Sequence, residues 1–486
     1  MVPPLPDETW SNILGFLQKS GPDSCRDFAH RDLVLATHVC RFWREIALAD
    51  PSLWVYISVS SSHHNHVESF LARSKTASLA IQVQFNGRTP YRHRPGQFST
   101  ALAAVTRHRN QIRSLSLIIQ PTNDDTELEA LFSWIGPNGG GFTTPPFLEA
   151  LVLSSQHVSR RFPHRILLAP LPSTLKILDI SDFTFPLDKV PPDQLEELYL
   201  RCPLRADGNP TARIFEILRR SPGLRIAHLN LSKMGHGDVL ASEVVIPLPQ
   251  LQRLVLEFSS SYSSMTRDFV EMLDIPADTC CDFTIRADYY TPSMILQPPI
   301  PQKLALTLRA TEIVLSLSGQ YLVISFDTFH SINSIKRGQT KIYFTTLLSI
   351  PHQKFKGYVI AILVRVLEVM PWSHPSSLII DISPFSGDGP SSEKWLRVLQ
   401  RLPTLENIEV RLTSEEGEVS QSLAASPLLD ALTAAQPHEP CCPALRRLVF
   451  LDMEVGDFRD VQRAARACVQ SREELGLQSI DVCFRR

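Results

Sequence analysis

Few residues of this chain have the types and spacing that do chemistry. His63, His64 and His66 could offer imidazole nitrogens to a metal, but nothing nearby completes a tetrahedral set. A solvated Ser/His segment is the simpler reading. His438 with Cys441 and Cys442 has suitable donor atoms at poor spacing for zinc. The run Gly136-Pro137-Asn138-Gly139-Gly140-Gly141 lacks the Lys-Ser/Thr pair of a phosphate-cradling loop and reads as a flexible loop. Arg88, Tyr91, Arg92, His93 and Arg94 form a basic, aromatic-containing loop that could touch RNA. Against that stands the charge balance: 48 Lys+Arg and 50 Asp+Glu give a net charge of −2. Such a chain has no global basic field for nucleic acid. No G-x-S-x-G, H-E-x-x-H, Walker A or dinucleotide G-x-G-x-x-G motif is present. No catalytic residue, metal or cofactor is assigned.

Composition points the same way. Hydrophobic residues make up 43% and charged residues 20% of 486, enough for a sizeable core. At roughly 150 residues per domain the length fits about three domains or one elongated array. There are 37 prolines against 20 glycines, which favours many short elements, each stopped by a proline. The nine cysteines are too sparse for a disulfide scaffold. Cys280–Cys281 and Cys441–Cys442 are vicinal pairs, unsuited to ordinary loop-closing bridges. A reducing compartment follows. Met1–Trp10 has neither the basic nor the apolar part of a signal peptide, and Tyr358–Met370 is interrupted by Arg365 and Glu368. The expectation is a soluble cytoplasmic or nuclear protein without membrane contact.

The first sixty residues read as three short helices. Pro6-Asp7-Glu8 starts the first, with Asp7 able to cap and Glu8 at the positive dipole end. Trp10, Ile13, Leu14 and Leu17 then form one apolar stripe, and Gly21-Pro22 ends the helix. A second helix is expected around Asp27–His38. A third is expected around Cys40–Ala49, with Phe42, Trp43, Ile46 and Ala47 on its buried side. Pro51 stops it, and Leu53-Trp54 follows. Half of the six tryptophans lie here, in a unit too small to bury them all, so some are expected to serve a partner.

Leu5-Pro6-x-Glu8, Ile13, Leu17, Leu35, Val39-Cys40-Arg41-Phe42-Trp43 and Leu53-Trp54 resemble the F-box over about residues 3–56. The connection Gln18–Arg31 is longer than in the plainest members. The resemblance implies binding to the Skp adaptor of an SCF-type cullin–RING ubiquitin ligase. On this match the contact residues are Leu5, Pro6, Ile13, Leu17, Leu35, Val39, Trp43, Leu53 and Trp54. Some of them must instead hold the helices together.

From Ile112 onward an apolar-x-x-apolar-x-apolar pattern recurs. It begins at Ile112, Leu148, Leu175, Leu195, Ile226 and Leu251, and again at Leu405, Leu445 and Leu477. Each copy reads as a short strand with alternate residues inward, followed by a helix or loop, which together describe a solenoid. Helices are expected at Glu127–Ile135, Thr211–Arg220, Thr266–Leu273, Glu393–Leu402 and Asp457–Gln470. Prolines precede many strands. Between Cys280 and Ile350 the frame thins into strands such as Leu322–Phe326. The pattern resembles a degenerate leucine-rich repeat array without the family's asparagine. With the F-box it resembles the expanded F-box families of mushroom-forming fungi.

The expected fold class is therefore α/β: a three-helix F-box at 1–56, a linker and first solenoid turn at 57–110, and an irregular repeat domain at 111–486. The expected role is a non-catalytic substrate adaptor, with a ligase-independent scaffold as the second reading. On the open face the pattern exposes Asp179, Tyr199, Arg201, His228, Asn230, Arg253, Glu257, Asn407, Glu409, Arg411, Arg447 and Asp481. Tyr199, Arg201, His228 and Arg253 are the candidate contacts for an unknown protein substrate.

Overall fold

Helix starts and proline turns set the frame of the molecule, which was obtained as a computed structural model. It describes residues 6–19, 31–60, 66–85, 97–119, 144–155, 171–181, 194–201, 210–231, 245–259, 269–276, 279–287, 312–318, 321–327, 341–348, 375–382, 391–412, 421–433, 441–451 and 455–485. Two compact units result, Met1–Leu224 and Arg225–Arg486. The expected helix Glu127–Ile135, the glycine run at 136–141 and the basic loop at 88–94 lie outside the described residues.

The first unit opens with α1 (Asp7–Lys19), α2 (Arg31–Val39) and α3 (Arg41–Ala49). The Pro6 carbonyl accepts the Thr9 and Trp10 amides at 3.0 and 3.2 Å, so the chain turns helical directly after a residue with no amide hydrogen to satisfy. Cys40 caps α3, its Sγ accepting the Trp43 amide at 3.4 Å. Asp50 serves twice. Its amide donates to the Ile46 carbonyl at 3.1 Å, and its carboxylate accepts the Ser52 amide at 2.9 Å. The second bond starts the 3-10 turn Pro51–Trp54. Leu14, Leu33, Ala36, Ile46, Ala47, Leu53 and Trp54 are buried and form the helical core. The Trp54 indole donates to the Ala47 carbonyl at 2.7 Å and tethers the turn to α3.

Six parallel strands follow: β1 (Tyr56–Ser60), β2 (Leu79–Phe85), β3 (Ile112–Ile119), β4 (Ala150–Ser155), β5 (Ile177–Ser181) and β6 (Glu197–Leu200). Each pairs with the next in sequence order. Helix α4 (Val67–Ser74) links β1 to β2, α5 (Gln97–Arg107) precedes β3, and α6 (Pro210–Arg220) follows β6. Residues 57–110, expected as a linker and first solenoid turn, contribute two strands and two helices to the first unit. The division between the compact units falls after Leu224.

In the second unit β7 (Ile226–Asn230), β9 (Arg253–Ser259) and β11 (Cys280–Ala287) run parallel, while β8 (Ile246–Pro247) pairs with β10 (Leu273–Asp274). Leu273, expected at the end of a helix, lies in β10. Strands β12 (Glu312–Ser318), β13 (Tyr321–Asp327) and β14 (Lys341–Leu348) enter the sheet in reverse order. β14 is parallel to β11, and β13 is antiparallel to both β14 and β12. β12 then pairs in parallel with β15 (Ser377–Ile382). The parallel run resumes through β16 (Asn407–Leu412), β17 (Arg447–Leu451) and β18 (Asp481–Arg485). Helices α7 (Ser392–Gln400), α8 (Gln421–Thr433) and α9 (Val455–Glu474) connect these last strands and pack in sequence.

The prolines before the strands have a mechanical role. The amides of Leu148, Leu224, Leu251, Leu405 and Leu445 donate three residues back, to Pro145, Ser221, Leu248, Leu402 and Cys442, at 3.1–3.2 Å. Pro146, Pro222, Pro249, Pro403 and Pro443 hold the second position of these turns, where a fixed φ is favourable. The leucine closing each turn is buried. The next amides join the preceding strand, as Lys176 and Ile177 do at the Glu149 carbonyl. Threonine hydroxyls add a bridge between successive turns, a feature not expected from the sequence. Thr174, Thr279 and Thr404 donate to the carbonyls of Leu148, Leu251 and Pro375 at 2.8, 2.8 and 3.2 Å. Thr279 is fully buried, so Thr279→Val should cost about 1–2 kcal/mol by stranding the Leu251 carbonyl. The check is a lower denaturation midpoint for this unit at unchanged slope.

A buried arginine fixes the turn before β17. Arg472 of α9 is fully buried and donates to the carbonyls of Cys441 and Cys442 at 2.8 and 2.9 Å. Cys442 has φ of 46°, a left-handed conformation unusual for a side-chain-bearing residue. The Cys441 and Cys442 side chains are themselves buried. The hydrogen bond with the neighbouring Cys441 thiol, together with burial, holds the Cys442 pKa above its usual range, as in an inert core thiol.

Candidate functional site

An apolar surface on the N-terminal helices is the most prominent feature. Soluble surfaces rarely cluster large apolar side chains without a partner. Ile13 and Phe16 of α1, Leu35 and Val39 of α2, and Phe42 and Leu48 of α3 are all exposed, with Phe16, Leu35 and Val39 at 69%, 53% and 66%. Among the described residues only Phe147 and Val245 are comparably exposed apolar side chains elsewhere. Ile13 and Phe16 are three apart and Leu35 and Val39 four apart, so each pair shares a helix face.

The sequence-derived contact residues distribute unevenly. Pro6, Ile13, Leu35 and Val39 are exposed. Trp43 is half-buried, packed against Trp10 with ring centroids 5.5 Å apart. Leu53 and Trp54 lie inside the helical core and offer no surface to a partner. Leu5 and the Leu17 side chain lie outside the described residues. Phe42, expected on the buried side, is exposed and meets Trp10 edge-on at 6.1 Å. Phe16 and Leu48 were not singled out from sequence. The three-residue step from Ile13 was the available signal for Phe16.

The strands present a second, polar surface. Leu151, Leu153, Leu178, Ile180, Leu198 and Leu200 are buried along β4–β6, so the residues between them face the other way. In the first unit the Tyr199 hydroxyl donates to Glu197 at 3.0 Å. The Arg201 guanidinium lies 5.2 Å from the Tyr199 ring centroid and 3.4 Å from Asp179. Burial and the Glu197 carboxylate raise the Tyr199 pKa, so the phenol stays protonated as a donor.

In the second unit His228 Nε2 meets Glu257 Oε1 at 2.9 Å, and the Asn230 amide donates to Oε2 at 3.0 Å. Asn230, expected to be exposed, is only 4% exposed because this bonding draws it down onto the sheet. Arg253 is well exposed and lies 3.9 Å from Asp282. Burial raises the Asp282 pKa more than Arg253 lowers it. Asp282 was not among the residues chosen from sequence, because β11 falls where the repeat frame fades. The four candidate substrate contacts thus divide between the units: Tyr199 and Arg201 in the first, His228 and Arg253 in the second.

Among the described residues no group of three or more His, Cys, Asp or Glu stands where it could hold a metal ion. His63, His64 and His438 lie outside those residues, while His66 packs on Phe70 at 4.9 Å. Among the described residues no helix is long and apolar enough to cross a membrane.

The apolar helical surface lies within the part of the chain that is recognisable by comparison. Residues 3–60 match the family model described as F-box-like. This match supports an F-box protein with an adaptor role of the SCF ubiquitin-ligase type, since F-box domains generally bind the Skp adaptor. No curated protein matches the chain.

Proposed function

We propose that the chain is a substrate-recognition subunit of an SCF-type ubiquitin ligase. The single observation that carries this reading is the exposed apolar surface of α1–α3 inside the F-box-like match. That surface docks on the Skp adaptor and, through it, on a cullin–RING ligase. The succession of parallel strands acts as a leucine-rich-repeat-like solenoid whose polar face holds a target protein. No cofactor, nucleic acid or membrane enters the mechanism, and the chain works in the cytoplasm or nucleus. Its contribution is positional. Holding a target lysine near a charged conjugating enzyme raises the effective concentration of the reacting groups, and other subunits perform the transfer.

Co-purification tests both halves. The intact chain should bring down Skp together with cullin, and Skp without cullin would favour a ligase-independent scaffold instead. Tyr199→Ala combined with Arg253→Ala removes a stacked phenol and an exposed guanidinium, one from each unit. That variant should lose the co-purifying target while Skp binding and the melting temperature stay near wild type. Undiminished target capture would assign these two side chains to ordinary solvated surface.

A further inference from the structure

The last strand of the second unit has an open edge, and its sequence is self-complementary in charge. Among the described residues β18 pairs with β17 alone. Its five residues, Asp481-Val482-Cys483-Phe484-Arg485, are all half-buried or exposed. β1 also pairs on one side only among the described residues, yet four of its five residues are buried. The edge at β18 is therefore bare where that at β1 is covered, and a bare edge is a template for another strand.

The backbone fixes which groups this edge offers. The Asp481 amide donates to the Arg446 carbonyl at 2.8 Å, toward β17. The amide and carbonyl of one strand residue point to the same side, and the side alternates along the strand. Cys483 and Arg485 therefore also turn toward β17, while Val482 and Phe484 turn their amides and carbonyls to the open side. The Val482 and Phe484 side chains continue the core layer of β17, with the Phe484 ring stacked 5.4 Å from Phe450. Their register partners Leu448 and Phe450 are buried, but Val482 and Phe484 stay partly uncovered. Asp481, Cys483 and Arg485 lie on the opposite, polar face.

Charge selects the occupant. Asp481 and Arg485 are exposed and four residues apart, about 13 Å along a strand, too far to pair with each other. Among the described residues the Asp481 carboxylate meets only the Cys483 thiol, at 3.4 Å, and Arg485 has no acidic partner. A second β18 laid antiparallel about a two-fold axis at Cys483 sets Asp481 opposite Arg485 of the copy, and Arg485 opposite its Asp481. In that register Val482 of each chain exchanges both backbone hydrogen bonds with Phe484 of the other, and their apolar side chains cover one another. Cys483 meets its own copy at a non-hydrogen-bonded position, with Cα atoms about 4.5 Å apart. Parallel addition would instead align Asp481 with Asp481 and Arg485 with Arg485, which like charges oppose.

We propose that β18 pairs antiparallel with β18 of a second copy of this chain, joining two molecules in a two-fold dimer. A ladder this short buries less than the about 1,200 Å² of a standard interface, so the dimer is weak and sedimentation equilibrium of the full chain is carried to about 100 μM. The mass should rise with concentration toward twice that of the chain. Asp481→Arg sets arginine against Arg485, and Arg485→Asp sets aspartate against Asp481. Each alone should raise the dissociation constant at least about tenfold, because two attractive pairs become two repulsive ones. Mixed together, the two variants regain both opposite-charge pairs and should form a mixed dimer as strong as the wild type. That recovery separates a charge contact from a loss of fold. Diamide, which takes two electrons and two protons from a pair of thiols, should crosslink the wild-type dimer through Cys483, since the spacing suits a disulfide. Cys483→Ser should remove the crosslinked species. A monomer at every concentration would overturn the pairing. So would a dimer indifferent to both charge reversals, which would move the association to another surface such as that of α1–α3. A mixture of the two variants that stays monomeric, or a crosslink undiminished in Cys483→Ser, would overturn it equally.

Discussion

Leu35→Asp together with Val39→Asp should abolish Skp binding without unfolding the chain. Both side chains are mostly exposed, at 53% and 66%, so their replacement removes little core packing. Surface changes of this kind usually alter stability by about 0.5 kcal/mol or less. At an interface the account is different. Central apolar anchors are typically worth about 2 kcal/mol or more each, and a buried unpaired carboxylate adds a further penalty. A total above about 4 kcal/mol corresponds to a loss of roughly a thousandfold in affinity. Calorimetric titration with purified Skp measures the affinity, and a thermal melt of the same sample measures the fold. Near-wild-type affinity in the double variant would move the docking surface away from α2. The more conservative Phe16→Ala should lose less, because alanine leaves no charge to desolvate.

The F-box helices were legible because their starts and stops are local. Pro6, Cys40, Asp50 and Pro51 act on neighbours within a few positions. Which apolar residues they bury was less legible. A docking module places apolar side chains outward as well as inward, so periodicity marks a face without saying what covers it. Phe42 and Leu53 show both outcomes: the expected core residue is exposed, and the expected contact residue is buried. Farther along, the six-residue pattern located strands wherever alternate leucines face inward. β1 and β2 alternate apolar and polar residues, as in Ile57-Ser58-Val59-Ser60 and Ile81-Gln82-Val83-Gln84, yet their polar side is shielded as well, which the sequence alternation does not foretell. The Pro427 inside α8 hid that helix. The reversed order of β12–β14 comes from antiparallel pairing of strands consecutive in sequence, with Ser318 across from Tyr321 and Asp327 across from Lys341, so the order across the sheet runs against the order along the chain. The threonine bridges were hidden for a different reason: a threonine beside a proline turn looks like ordinary turn chemistry until its hydroxyl is seen to reach the turn before.

Trp54→Ala should destabilise the N-terminal helices more than any surface change. Its ring is fully buried, 5.1 Å from Phe70 of α4, with the Arg73 guanidinium 4.4 Å from its centroid. Emptying such a site costs about 3–5 kcal/mol, a large part of the 5–15 kcal/mol that ordinarily separates folded from unfolded. Skp binding would then fail through loss of the fold, accompanied by a melting shift that Leu35→Asp with Val39→Asp lacks. A second buried indole isolates the contribution of the hydrogen bond. Trp395 of α7 is also fully buried, but among the described residues its Nε1 meets no acceptor. Trp54→Phe keeps most of the ring and strands the Ala47 carbonyl, so it should cost about 1–3 kcal/mol beyond the change in volume. Trp395→Phe makes a similar change in volume while removing an orphaned donor, and should cost distinctly less. Paired denaturation curves decide it. An equal loss at both positions would mean that ring volume alone sets the cost and that the bond to Ala47 adds nothing. A smaller loss at Trp395 would assign the difference to the single hydrogen bond that ties the 3-10 turn to α3.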